Sequence, residues 1–145
     1  MRTLVAGEYV CAEGGGGGVV NANRQAAQAW ETFALNDLNA GALNDGDQIT
    51  LQASNGQFVS AEGGGGGAVN ANRNQALGWE TFIVHKVGGG AIAGGDQIEL
   101  QTIVKGLYVS ALNGGGGSVT ADRAVANTWE TFVLGMSGGG GGGGA

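Results

Sequence analysis

Apolar and polar residues alternate along this chain in short stretches, and nowhere with a helical period. Gln48 to Ala53 alternates strictly, Gln57 to Ala61 does so around Phe58 and Ser60, and Ala68 to Asn72 and Glu80 to Lys86 follow. A period of two marks a strand with one face buried. Glycine, Asn and Asp punctuate each boundary, where turns need residues that tolerate unusual backbone angles. The alanine-rich Gln25 to Ala29 permits a helical turn, but so short a stretch without apolar periodicity does not hold a helix alone. These segments predict four short strands in each stretch of chain between successive tryptophans.

The pattern recurs. Trp30-Glu31-Thr32-Phe33 returns 49 residues later at Trp79 and a further 50 later at Trp129, and these strings hold all 3 tryptophans. The match extends upstream: Tyr9-Val10-Cys11-Ala12-Glu13, a glycine run and Val20-Asn21-Ala22-Asn23-Arg24 are echoed by Phe58 to Arg73 and by Tyr108 to Arg123. The third copy holds its extra residue between Gln97 and Tyr108. Repeats of this length are one supersecondary unit each, and three copies of four strands predict an all-β fold, a β-trefoil of twelve short strands with pseudo-threefold symmetry. The repeats are expected at about 1–46, 47–95 and 96–135, forming one domain, with a glycine-rich flexible tail or linker over 136–145. Arg2 to Val5 supplies the opening strand, so closure would bring the two ends of the domain together.

Strand parity sorts the repeated string. Successive side chains point to opposite faces, so Phe33, Phe82 and Phe132 with Leu35, Val84 and Leu134 are predicted to be core. The tryptophans fall on the other side beside small or polar neighbours (Ala29, Gly78, Thr128), the position of an exposed aromatic platform. Glu31, Glu80 and Glu130 lean inward, where an unpaired carboxylate is costly. Two duties stay open for them. One is structural, an ion pair with Arg24, Arg73 or Arg123 seven residues upstream or hydrogen bonds from loop amides. The other is to accept hydroxyls of a ligand lying on the tryptophan, with the arginine as support. Asn23, Asn72 and Asp122 are read as supporting residues whose default duty is a turn cap.

Composition narrows the chemistry. The chain has 33 glycines, no proline, 42% apolar residues and a net charge of −6. The acidic balance argues against nucleic acid and against anionic membrane surfaces, since both demand a basic patch. No apolar run approaches membrane-spanning length and Met1 opens no signal-peptide pattern, so a soluble chain, intracellular or already trimmed, is expected. Cys11 and His85 are each the single residue of their type, too few for a disulfide, a zinc site or a catalytic pair. Cys11 aligns with Ser60 and Ser110 and reads as a small buried filler. The glycine runs lack the Lys-Ser/Thr of a phosphate-binding loop. They are expected to link adjacent strands, with amides free to approach a ligand or to satisfy the glutamates. No cofactor or metal is expected.

The block Tyr-Val-x-Ala-Glu, a glycine run, Val-x-Ala-Asn-Arg and Trp-Glu-Thr-Phe resembles the fascin-like β-trefoil superfamily, and within it most closely the family 92 carbohydrate-binding modules of bacterial secreted glycanases. The resemblance runs from Arg2 to Leu134. It implies a non-catalytic, trivalent, monomeric module that binds β-1,6- and β-1,3-linked glucans. In each repeat Trp30, Trp79 or Trp129 would stack on a glucose ring while Glu31, Glu80 or Glu130 bonds its hydroxyls. It further implies secretion as part of a larger protein that carries a glycanase domain. The third copy departs from the pattern, with Leu112-Asn113 in place of Glu-Gly and Asp122 in place of Asn. Rival readings are a lectin for other sugars, a fascin-like actin-binding module, which a single acidic trefoil does not favour, and a glycosidase. The last needs two acids beside one bond.

Overall fold

Each repeat turns its alternating segments into four strands. The first supplies β1 (Arg2–Thr3), β2 (Tyr9–Ala12), β3 (Val20–Arg24) and β4 (Ala34–Asp37). The second supplies β5 (Gln48–Gln52), β6 (Phe58–Ala61), β7 (Val69–Arg73) and β8 (Phe82–Lys86). The third supplies β9 (Gln97–Thr102), β10 (Tyr108–Ala111), β11 (Gly117–Arg123) and β12 (Phe132–Val133). This is a computed structural model that describes residues 1–135; the segment 136–145, read above as a tail, lies outside the described residues. All twelve strands join one antiparallel sheet.

Two kinds of pairing, among others, recur in every repeat. The first strand of a repeat pairs with the last strand of the preceding one: β4 with β5, β8 with β9, and β12 with β1. The last of these joins the two ends of the domain, Arg2 opposite Val133 and Thr3 opposite Phe132. The middle strands form hairpins β2–β3, β6–β7 and β10–β11 that cap the barrel. A strand barrel with three hairpins about a pseudo-threefold axis is a β-trefoil. Its core repeats in threes: Met1, Leu51 and Leu100; Val10, Val59 and Val109; Val20, Val69 and Val119; and the predicted Phe33, Phe82 and Phe132, all buried. Leu35, Val84 and Leu134 are buried as well. Each phenylalanine withdraws enough apolar surface to stabilise the fold by about 2–3 kcal/mol.

The glycine runs close the cap. Gly17 donates its amide to the Ala71 carbonyl at 2.8 Å, Gly66 to Ala121 at 2.8 Å and Gly116 to Ala22 at 2.7 Å, so each run is laced to the next repeat's hairpin. Ala71 and Ala121 return the bond to Gly18 and Gly67 at 2.8 and 2.9 Å. One amide of each run thus serves the ring of hairpins, and among the described residues the amides that bond the glutamates come from elsewhere. Four successive positions of each run hold positive φ, from 70° at Gly14 to 126° at Gly16 in the first copy. In the third copy Asn113 takes the opening position at φ 61°, a conformation Asn tolerates better than other side chains, and so replaces one glycine.

Candidate functional site

Each tryptophan lies in a 3-10 turn just before a repeat's last strand: Ala29–Glu31, Gly78–Glu80 and Thr128–Glu130. The strand expected to start at Glu80 starts instead at Phe82, because Glu80 belongs to that turn. The predicted sidedness survives the change. Trp30, Trp79 and Trp129 are 43%, 42% and 36% exposed, whereas Glu31, Glu80 and Glu130 are 5%, 3% and 3% exposed. The inner edge of the indole rests on the glycine run: a Cβ at Gly15 or Gly64 would stand 3.3 Å from Cδ1 of Trp30 or Trp79. The guanidinium groups of Arg73 and Arg123 lie 5.8 and 5.6 Å from the ring centres of Trp79 and Trp129, within range of a cation–π attraction.

A surface depression opens beside the first two indoles. Arg24, Gln25, Gln28 and Trp30 line one, with Glu31 in its wall. Arg73, Gln75, Leu77, Trp79 and Glu80 line the other together with Val104, which comes from the following repeat. The second site therefore sits at a junction between repeats.

The glutamates have a first duty inside the fold. One oxygen accepts a backbone amide three residues upstream: Gln28 at 2.9 Å, Leu77 at 2.8 Å and Asn127 at 2.8 Å. The other accepts the hydroxyl of Ser60 or Ser110, at 2.6 Å in both cases. Cys11 replaces that serine in the first repeat. Burial, then its hydrogen bond to the Glu31 carboxylate, pushes the Cys11 thiol up to about 12. Of the two structural partners foreseen, the loop amide is present in every copy. The ion pair survives only as a 4.0 Å approach of Arg24 Nε to Glu31.

The arginines turn to a different acid. Arg24 Nη2 donates to Glu13 at 2.7 Å, Asn21 donates to the other Glu13 oxygen at 3.0 Å, and Arg24 Nη1 donates to Asn23 at 2.7 Å. The Asn21 bond, with that of Arg24, holds the Glu13 carboxyl below its usual range. The second repeat reproduces the set, with Glu62 receiving Arg73 at 2.6 Å and Asn70 at 2.8 Å while Arg73 also donates to Asn72. In the third repeat Leu112 stands where Glu62 would be, and Arg123 instead meets Asp122, Nε to Oδ1 at 3.2 Å. Asn23, Asn72 and Asp122 therefore hold the arginine, which corrects their reading as turn caps. Each site carries one arginine and two carboxylates, so it offers no net positive charge to an anion.

Sequence reasoning missed Ser60, Ser110, Asn21, Asn70 and Val104. The serines had a signal. Each stands between apolar residues, Val59 and Ala61 or Val109 and Ala111, and a hydroxyl enclosed there needs a partner. Val104 had none, because its place beside Trp79 is set by contact between repeats. Among the described residues no three His, Cys, Asp or Glu side chains group as metal ligands would.

Comparison with known proteins extends the fold and stops there. No family model and no curated protein sequence matches the chain. Among solved structures it is similar to an SDF2-like protein from Arabidopsis thaliana, with TM-score 0.74, 11% identity and coverage of 91% of this chain and 88% of that one. A Caenorhabditis elegans protein of unknown function gives 0.71, 17% identity and coverage of 90% and 88%. ThreeFoil, a designed threefold symmetric protein, gives 0.69, 15% identity and coverage of 87% and 89%. At these identities the likeness establishes the β-trefoil fold alone.

Proposed function

We propose that this chain is a non-catalytic carbohydrate-binding module with one site per repeat, and that its ligands are β-1,6- and β-1,3-linked glucans. The observation that carries the reading is the threefold recurrence of a half-exposed indole beside an arginine already paired with a carboxylate. A pyranose has an apolar C–H face and a rim of uncharged hydroxyls. The indole matches the face. The remaining N–H groups of the arginine and the amides of Gln25, Gln28, Asn74 and Gln75 match the rim. The lack of net positive charge favours a neutral sugar over a phosphate or an acidic one. The glutamates stand in the wall of the depression, where a lone pair left over from the bonds of the fold can take a hydroxyl.

The glycosidase reading loses support from the same bonds. Both Glu13 oxygens accept bonds, from Asn21 and Arg24, and the Glu80 oxygens each hold a proton donor of the chain. Shallow sites of this kind bind a monosaccharide weakly, near ~1 mM or about −4 kcal/mol. Three on one polymer raise apparent affinity by roughly 10²-fold where their spacing allows joint engagement. A place on a secreted glycanase follows from the family resemblance and is proposed with it.

Calorimetric titration with glucose, gentiobiose and laminaribiose tests the reading. Saturation near three sites per chain is the expected result, and Trp30, Trp79 and Trp129 changed together to Ala should abolish it with the fold intact by circular dichroism. Absence of heat with all three sugars overturns the glucan assignment. Product release from laminarin or pustulan overturns the non-catalytic one.

A further inference from the structure

The three indoles have equivalent places but unequal surroundings. Two positions flank each one: the residue two before the tryptophan, and a residue in the strand connection of the following repeat. In the first site these are Gln28 and Ser54, and in the third Asn127 and Val5. In the second both are branched apolar residues, Leu77 and Val104, which are 68% and 52% exposed. Ser54 turns its hydroxyl to the Gly15 carbonyl at 3.2 Å, whereas Val104 presents methyl groups in the same place.

Val104 is held there by the backbone beneath it. A Cβ at Gly64 would stand 2.7 Å from Val104 Cγ1, and one at Gly78 would stand 3.3 Å from Cγ2. Gly78 is replaced by Ala29 and Thr128 in the other sites, so only the second has a bare backbone on both sides of the methyl groups. The result is an apolar wall, its Val104 part held by the backbone, beside a half-exposed indole, with Arg73, Asn74 and Gln75 around the rest of the depression. An unsubstituted sugar loses by meeting that wall, because its hydroxyls forgo water there without gaining a partner. A ligand with a polar ring at one end and an apolar group at the other satisfies both parts.

We infer that the second site selects glycosides whose anomeric substituent is apolar, an aryl or alkyl glycoside. The sugar ring lies on Trp79 and the substituent lies against Leu77 and Val104. This inference rests on the reading of Trp79 as a sugar platform.

The experiment isolates single sites in the full chain. W30A/W129A leaves the second site and W79A/W129A leaves the first, each checked for fold by far-ultraviolet circular dichroism and thermal midpoint. Both are titrated with methyl and phenyl β-D-glucoside. In the second site the phenyl glucoside should bind about tenfold tighter than the methyl, from the apolar area it covers, and in the first less than about twofold. Adding L77Q/V104S to the second-site variant should bring its phenyl-to-methyl ratio down to that of the first. Equal ratios in the two isolated sites overturn the inference while leaving the sugar reading in place, as does a phenyl preference that survives L77Q/V104S. Failure of both glucosides at both sites removes the sugar reading, and this inference with it.

Discussion

The inner layer of the trefoil keeps its threefold pattern closely and the outer rim does not. Inside, every repeat keeps the phenylalanine, the carboxylate bound to a loop amide, and the glycine run laced to the next hairpin. Outside, Gln28, Leu77 and Asn127 occupy one position, Ser54, Val104 and Val5 another, and Glu13, Glu62 and Leu112 a third. The inner residues answer to each other across repeat boundaries, so one change disturbs several partners. The rim residues answer to solvent and to whatever binds. Even there one demand persists: the third repeat has Leu112 where the others have a glutamate, and its arginine meets a carboxylate at Asp122.

The largest test of that contrast is Glu80→Ala against Leu77→Ala, two residues of one turn. Removing the Glu80 carboxylate leaves the Ser60 hydroxyl and the Leu77 amide without acceptors in a buried place, a loss of about 3 kcal/mol. Leu77→Ala touches only the rim and should stay within about 0.5 kcal/mol. Urea denaturation measures both. Equal costs would mean that the turn, and not the buried carboxylate, holds this corner together.

Next in size is a pair of glycines in one run. Gly64→Ala places a Cβ 2.7 Å from Val104 at φ +81°, and should cost about 2 kcal/mol. At Gly67 a Cβ meets nothing within 4 Å, so Gly67→Ala should be close to neutral by the same assay. Identical effects would return the run to the status of a plain linker.

The fold was legible because its signals are local and repeated three times. Alternation marks the strands, and parity placed Phe33, Phe82 and Phe132 inside and the tryptophans outside even though the tryptophans sit in turns. The bonds of the site were less legible. Arg24 and Glu31 are seven residues apart in sequence and suggested a pair, but the hairpin brings Glu13 to Arg24 at 2.7 Å instead. Ser60 reaches Glu80 across twenty residues at 2.6 Å. Such partners follow from hairpin register and from packing between repeats, which alternation alone does not encode.

One inner position breaks the symmetry, and repairing it should strengthen the fold. Cys11→Ser restores the hydroxyl that Ser60 and Ser110 give to their glutamates, with an expected gain of about 1 kcal/mol. The pH dependence carries the signature. Because the folded thiol is raised from 9.0 to about 12, the unfolded chain loses its proton first and wild-type stability falls as pH rises from 9 toward 12. The serine variant should lack that fall. Destabilisation by Cys11→Ser would show that Glu31 leans on Arg24, 4.0 Å away, and has no room for a hydroxyl.

The smallest expected effect lies on the rim of the barrel, where two successive repeat junctions solve one contact differently. Lys86 and Asp96 form an ion pair at 3.3 Å; the positions aligned with them one repeat earlier are Asp37 and Asp47, two acids. Burial raises the Asp37 carboxyl, the Asn39 amide opposes it, and the neighbouring Asp47 adds to the rise. One Asp37 oxygen is buried without a hydrogen bond. A carboxyl raised in the folded state weakens the fold at neutral pH and releases that penalty as pH falls through its folded value. Asp37→Lys should therefore stabilise the chain at pH 7 by less than about 1 kcal/mol, and the margin over wild type should shrink in acid. Chemical denaturation at pH 7 and pH 4 reads both terms. A margin independent of pH would mean that the lysine acts by packing its stem along the strand and not by relieving two acids of each other.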